Sequence, residues 1–221
     1  ESLAPRVDVY SIDEAFLDLT GIDRVVFFEE FGGQVKNAIF QSVGLTVCVG
    51  IAPTRTLAKL ANYAAKHYPA TGGVVDLTDT ARQRRLMAVV PVDEVWGVGR
   101  KLNAKLQAIG IETALNLADA DPATLRRRFS VVLERTAREL RGIACLAWED
   151  APPAKKQIMC SRSFGQPIQA LADLEEAVGH YTARATEKLR KGQLYAGELM
   201  VFIRTNPFRA SIPQYSRSAS V

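Results

Sequence analysis

Apolar residues at Val7, Val9 and Ile12, and again at Phe16, Leu17 and Leu19, form two short strand-like runs around the polar pair Asp13-Glu14. That pattern predicts a hairpin. From Phe31 the apolar positions continue through Val35, Ile39 and Val43, one face of a helix that Gly44 closes. Leu45, Val47, Val49 and Ile51 alternate with smaller residues, as in a strand, and Thr54 stands where it can N-cap the next segment. Leu57 to His67 is rich in Ala and Leu at helical spacing and is stopped by Pro69 and Gly72-Gly73. Val74 to Leu77 predicts a further strand. The order strand, helix, strand, helix, strand over residues 1–77 predicts an α+β unit with a small sheet.

From Thr78 to Arg141 the pattern changes to short helices with tight turns: Leu86 to Val90, Arg100 to Ile109, Leu115 to Ala118, and a segment after Asp121-Pro122, where Asp caps and Pro takes the first helical position. This second region is taken as 78–148. The stretch around Pro152-Pro153, with both charge signs, predicts a linker over 149–157. A third region, 158–221, begins with an extended run from Ile158 to Gly165. It continues with a helix through Leu174, Val178, Tyr181 and Leu189, and an extended run from Leu199 to Arg204, before a Ser-rich stretch. Strand, helix and strand without a partner sheet leave edges uncovered, so this region is expected to be incomplete. With Glu1 in place of an initiator Met, the chain is expected to be cut at both ends.

Charge sharpens this division. The net charge is +4, but residues 1–77 carry 6 basic and 9 acidic side chains, 78–154 carry 12 and 10, and 155–221 carry 10 and 5. A basic second half points to a polyanionic partner, and an acidic first part to carboxylates kept for another purpose. Three cysteines, Cys48, Cys145 and Cys160, far apart and odd in number, argue against a disulfide framework or a zinc knuckle and fit a reducing cytoplasm. No run approaches the roughly 20 apolar residues of a membrane span, and nothing reads as a secretion signal.

Four groups of residues could carry chemistry. Asp13 and Glu14 on a straight strand would point to opposite faces, but at a hairpin turn both can reach one site. There they could hold Mg²⁺ in a two-metal site for phosphoryl transfer; ordinary turn polarity is the alternative. Arg55, Lys59, Asn62 and Lys66 share one helix face and could cradle a triphosphate, with Lys59 near the helix start. A solvated polar face explains the same spacing, and no GxxxxGK[ST] loop is present. Val95-Trp96-Gly97-Val98-Gly99, followed by Arg100 and Lys101, predicts a helix-hairpin-helix whose backbone N–H groups grip a phosphate; a pair of packing glycines is the alternative. Ser161, Arg162 and Ser163, with Lys155, Lys156, Arg204 and Arg209, suit phosphate-backbone contacts or a plain solvated surface.

Taken in order, these segments resemble the Y-family (translesion) DNA polymerases, with palm over 1–77, thumb over 78–148 and little finger over 158–221. YSIDEAFLDLTG resembles a palm motif whose Asp and Glu, here Asp13 and Glu14, serve in the metal site. VGIAPTRTLAKLAN resembles the following palm motif, whose lysine, here Lys59, contacts the incoming triphosphate. VWGVG resembles the thumb hairpin and KKQIMCSRSFG the start of the little finger. CSRSFG and the NPF at Asn206 to Phe208 tilt the likeness to the UmuC-type branch. The resemblance implies Mg²⁺-dependent nucleotidyl transfer from dNTPs to a primer end, past damaged template bases, in an SOS response. It implies a bacterial, nucleoid-associated setting, one further metal ligand and the finger residues upstream of Glu1, and more strands and a clamp-binding tail beyond Val221. It also implies a UmuD-type accessory protein, RecA filaments and the sliding clamp as partners. The fragment alone is expected to bind DNA weakly and catalyse little. A non-catalytic DNA-binding module and a metal-dependent nuclease are the competing readings.

Overall fold

A computed structural model describes residues 4–22, 26–146, 156–209 and 211–221. Two compact units divide the chain, residues 1–150 and 151–221. Most of the expected linker, residues 149–155, lies outside the described residues, as does Lys155.

The first unit opens with β1 (Arg6–Val9) and β2 (Ala15–Asp18), antiparallel from Arg6 opposite Asp18 to Val9 opposite Ala15. Asp13 and Glu14 fall in the connecting loop, as the polar break between the apolar runs predicts. α1 (Phe28–Val43) buries Phe31 and Val35 and ends at Gly44, whose φ of 71° lets its N–H reach the Phe40 carbonyl. β3 (Val49–Ile51), α2 (Arg55–His67) and β4 (Val74–Asp76) make a βαβ unit in which the strands pair in parallel, Val49 opposite Val74. The α2 helix starts where Thr54 accepts from the Leu57 N–H. It lies on β3 through small residues. A Cβ built at Gly50 would overlap the backbone nitrogen of Asn62 and the carbonyl oxygen of Ala58, and would sit 2.8 Å from the carbonyl carbon of Ala61.

Then come α3 (Thr80–Val89), α4 (Arg100–Gln107), α5 (Ala114–Asp119), α6 (Pro122–Arg128) and α7 (Val131–Leu140). Their apolar faces enclose a core in which Leu57 and Leu60 of α2 are packed with Met87, Val90, Leu106 and Leu140. Residues expected as palm and as thumb thus share one hydrophobic cluster. α3 and α5 are also joined at the surface, where Arg84 donates from both terminal nitrogens to the two oxygens of Asp119 at 2.9 and 2.8 Å. Those hydrogen bonds hold the Asp119 carboxyl below its ordinary value of 3.8. The native state therefore gains from the pair at pH values above that figure and loses the gain as pH falls through the lower native-state pKa. Both partners are about half exposed, so solvent screening keeps the contribution small. Acid-unfolding curves of Arg84→Ala should lack this part of the pH dependence while keeping the rest.

In the second unit, α8 (Leu171–Lys191) precedes the antiparallel pair β5 (Met200–Arg204) and β6 (Ser216–Ser220), with Phe202 opposite Ser218. None of its described residues is buried.

Several expectations need correction. The strand expected from Leu45 begins at Val49, because the ladder starts where the Val49 N–H meets the Gly73 carbonyl, and Leu45 is exposed. The helix expected from Leu86 begins at Thr80, capped by Asp79, which accepts from the Arg82 N–H at 2.7 Å. The segment after Pro122 is two helices, divided at Phe129, with Ser130 capping the second. No strand forms over Ile158 to Gly165. The Ser-rich end is a strand, β6, so β5 does have a partner. Finally, the first unit holds two separate strand pairs, β1–β2 and β3–β4, where one small sheet was expected. Among the described residues, side-chain contacts, chiefly from α2, tie the β1–β2 hairpin to the rest of the unit in place of a backbone ladder.

Candidate functional site

The hairpin loop is closed by the N–H groups of Tyr10 and Ser11, which both donate to the Glu14 carbonyl at 3.0 Å. Within it the Ser11 hydroxyl donates to Asp13 Oδ1 at 2.6 Å. This hydrogen bond, helped by the positive charges of Lys66 and Lys59, holds the exposed Asp13 carboxyl below the usual carboxylate range. Asp13 is therefore a charged, solvent-facing carboxylate at neutral pH.

Glu14 points the other way along the chain's fold, to α2. Lys59 Nζ donates to its two oxygens at 2.6 and 2.7 Å. One turn earlier on the same face, Arg55 Nη1 lies 2.7 Å from Asp8 Oδ2. The basic stripe expected to be solvated or to hold phosphate is thus the face that docks the hairpin. Asn62 belongs to the scaffold, since its side-chain amide donates to the Cys48 carbonyl at 2.6 Å. Lys66 is exposed.

Aromatic rings surround the two cations. Lys59 Nζ is 5.2 Å from the Tyr10 ring centroid and 5.8 Å from that of Trp96, and Arg55 lies 5.1 Å over Phe16. Tyr10 meets Trp96 edge-on at 5.3 Å, and the indole N–H donates to the Tyr10 hydroxyl at 3.3 Å. Sequence reasoning missed Asp8, Tyr10, Phe16 and Trp96 as members of this cluster. The available signal for Asp8 was a carboxylate between the strand valines Val7 and Val9; nothing local pointed Trp96 at Tyr10.

Through Trp96 the hairpin also meets the Gly97–Lys101 turn. Gly97 has φ of 91°, a conformation that suits glycine, and Gly99 starts α4 by accepting from the N–H groups of Leu102 and Asn103. Val98 is buried and its N–H is bonded to the Val95 carbonyl. It therefore anchors the turn, while Gly97, Gly99, Arg100 and Lys101 are exposed. In the second unit, Ser161, Arg162, Ser163 and Arg204 are exposed. No hydrogen bond or ion pair among the described residues brings the Ser161–Ser163 run to Arg204; Arg162 donates to the Ser161 carbonyl.

Among the described residues no three acidic, His or Cys side chains converge as a metal cage. Asp13 and Glu14 are nonetheless hard oxygen donors, although both Glu14 oxygens are engaged by Lys59, so Glu14 could join a metal only once that ion pair opens. Two carboxylates completed by phosphate oxygens and water are a donor set that suits Mg²⁺.

Residues 1–63 match the impB/mucB/samB family and residues 155–221 match the impB/mucB/samB family C-terminal domain. The chain is 50% identical to Protein UmuC of Salmonella typhimurium over its whole length, covering 53% of that protein, and 50% identical to Protein MucB of Escherichia coli, covering 52%. It thus spans about half the length of the curated relatives it matches. DNA polymerase IV 1 of Mesorhizobium japonicum is 27% identical over 215 residues. Among solved structures, a Y-family DNA polymerase chimera of Dbh and Dpo4 superposes with a TM-score of 0.60 at 19% identity, covering all of this chain and 61% of the other. No helix among the described residues is long and apolar enough to cross a membrane. With both ends matched to one family and relatives half identical throughout, the chain belongs to the impB/mucB/samB family, the UmuC-type branch of the Y-family polymerases.

Proposed function

We propose that the chain forms the palm, thumb and part of the little finger of a translesion DNA polymerase. The whole protein would extend a primer across damaged template bases: the 3′-hydroxyl oxygen attacks the α-phosphorus of a dNTP and pyrophosphate leaves. The observation that carries this reading is the Glu14–Lys59 ion pair beside the Trp96 ring, in a hairpin loop whose neighbouring residue, Asp13, keeps its carboxylate exposed.

In this reading Asp13 and Glu14 hold Mg²⁺. When bound, the ion would neutralise charge on the attacking and leaving oxygens. Lys59 exchanges Glu14 for the triphosphate, whose oxygens compete for the same ammonium. Arg55, paired with Asp8, braces the hairpin at the start of that face, and would have to leave that pair to serve as a phosphate ligand itself. Tyr10 and Trp96 place their rings beside the Lys59 ammonium. The exposed N–H groups and side chains at Gly97, Gly99, Arg100 and Lys101 take the primer backbone, with Val98 fixing the turn from below. Ser161, Arg162, Ser163 and Arg204 offer further phosphate contacts. The family likeness extends the proposal to a UmuD-type accessory protein, RecA filaments and the sliding clamp as partners of the whole protein, and to a bacterial cytoplasmic, nucleoid-associated setting.

The test is primer extension with Mg²⁺ and dNTPs by the protein completed to its relatives' length. Strand cleavage without dNTPs would instead support a nuclease. The DNA interface has its own check. Affinity for primed duplex should fall with salt, with a log-log slope of about −0.9 for each phosphate neutralised. Lys101→Ala should weaken binding evenly across sequences and reduce that slope by about 1. A flat salt profile would remove the DNA-binding claim.

A further inference from the structure

Glu139, on α7, is 2% exposed, and no ion pair among the described residues involves it. Its carboxylate is satisfied by four donors from two other segments. One oxygen accepts from the Thr56 N–H at 2.9 Å and the Thr56 hydroxyl at 2.8 Å. The other accepts from the N–H groups of Cys145 and Leu146 at 2.9 and 3.1 Å. The Glu139 backbone carbonyl in turn accepts from the Thr54 hydroxyl at 2.8 Å. Thr54 and Thr56 are the cap and the second residue of α2, so an acid 83 residues away in sequence closes the helix start from outside. A negative charge is favoured there by the helix dipole. Buried carboxylates are costly unless hydrogen-bonded at every position, and this one is fully supplied.

The next residues on α2 after this closure carry the cation cluster: Lys59 is one turn beyond Arg55, which immediately precedes Thr56. The geometry points to Glu139 as a positioning residue for Lys59. It fixes the rotation and height of the α2 start, and through them the place of the ammonium against Glu14 and the rings of Tyr10 and Trp96. For catalysis this rests on the reading of Lys59 as the triphosphate ligand; the positional link stands without it. Glutamine at this site keeps the volume but turns an NH₂ group toward one of the two donor pairs, opposing donor to donor. The helix start or the Cys145–Leu146 segment must then give way.

Trp96, 5.8 Å from Lys59 Nζ, reports the position of that charge. With Trp148 replaced by phenylalanine it is the sole tryptophan. In that background of the full chain, Glu139→Gln should shift the Trp96 emission in the same direction as Lys59→Met, and Thr56→Val should do so less strongly. Glu134→Gln is the control. Glu134 is also buried on the same helix, and its ion-pair partners are Arg126 and Arg138, not residues of α2, so its loss should destabilise the fold while leaving the emission unchanged. A folded Glu139→Gln with parental emission overturns the proposal. So does a Glu134→Gln shift of equal size, which would reveal a general loosening. Should Glu139→Gln fail to fold, Thr56→Val decides by the same criterion. Titration with a dNTP separates the two claims: a parent whose emission ignores the nucleotide contradicts the triphosphate reading of Lys59, while the Glu139 shift still supports positioning.

Discussion

Asp13→Asn should lower template-directed nucleotide addition by about a thousandfold, the loss expected when several kcal/mol of metal-borne charge stabilisation disappears from the transition state. The substitution is chosen to isolate charge. Asparagine keeps an oxygen for the Ser11 hydroxyl, the bond that shapes the loop tip. Asp13 is exposed, so the fold should be indifferent to the change. DNA affinity and the denaturation midpoint should therefore match the parent while the rate collapses. Glu14 makes a poorer first experiment, since its removal also releases Lys59 and undocks the hairpin. The measurement is single-turnover primer extension in Mg²⁺ by the protein at its relatives' full length. An unchanged rate in Asp13→Asn would count against the metal site; a well-folded, DNA-binding parent that extends no primer would favour the non-catalytic module.

The largest effect on stability should come from Gly50→Ala. A methyl group there meets the backbone of α2 at Ala58, Ala61 and Asn62, and backbone cannot rotate aside as a side chain can. Either β3 leaves the helix or α2 bows away from its own core contacts. Overpacking of this kind costs about 3 kcal/mol or more, a large part of the roughly 5–15 kcal/mol that holds a domain together. Urea denaturation of the chain should show a sharply lower midpoint or no folded baseline. Gly32→Ala provides the contrast, because its nearest obstacle is the Val74 Cγ1 atom at 2.5 Å, a side chain that can be repacked. Its cost should be smaller. Equal midpoints for the two variants would mean that the β3–α2 approach is looser than the structure shows.

What could be read from the sequence was governed by neighbours. Thr54 before an Ala-rich helix, Gly44 after an apolar face, and Asp13-Glu14 between two strand-like runs each follow from interactions spanning a few residues, and each lies where local rules put it. The family motifs added an order of segments that periodicity alone does not supply. The parts that escaped depend on distant partners. Lys59 finds Glu14 across 45 positions, Trp96 finds Tyr10 across 86, and Thr56 finds Glu139 across 83. The same Arg55–Lys59 spacing suits solvent, phosphate or a docked hairpin, and only packing chooses among them. β6 escaped for another reason: Ser216 to Ser220 has no apolar alternation, and pairing with β5 makes it a strand. The start of α3 is set by the Asp79 cap, which the spacing of apolar positions does not mark.

The common core of the first unit also bears on how such chains can be recombined. Leu57 and Leu60 are almost wholly buried among side chains contributed from beyond residue 78, with Met87, Val90 and Leu140 in the same cluster. A crossover at the 77/78 boundary between two divergent relatives would join half of one core to half of another, mismatching shapes that had been fitted together. The two halves should therefore be exchanged only as a single block, and a change of size at Leu57 or Leu60 should need an answering change on the helices that follow.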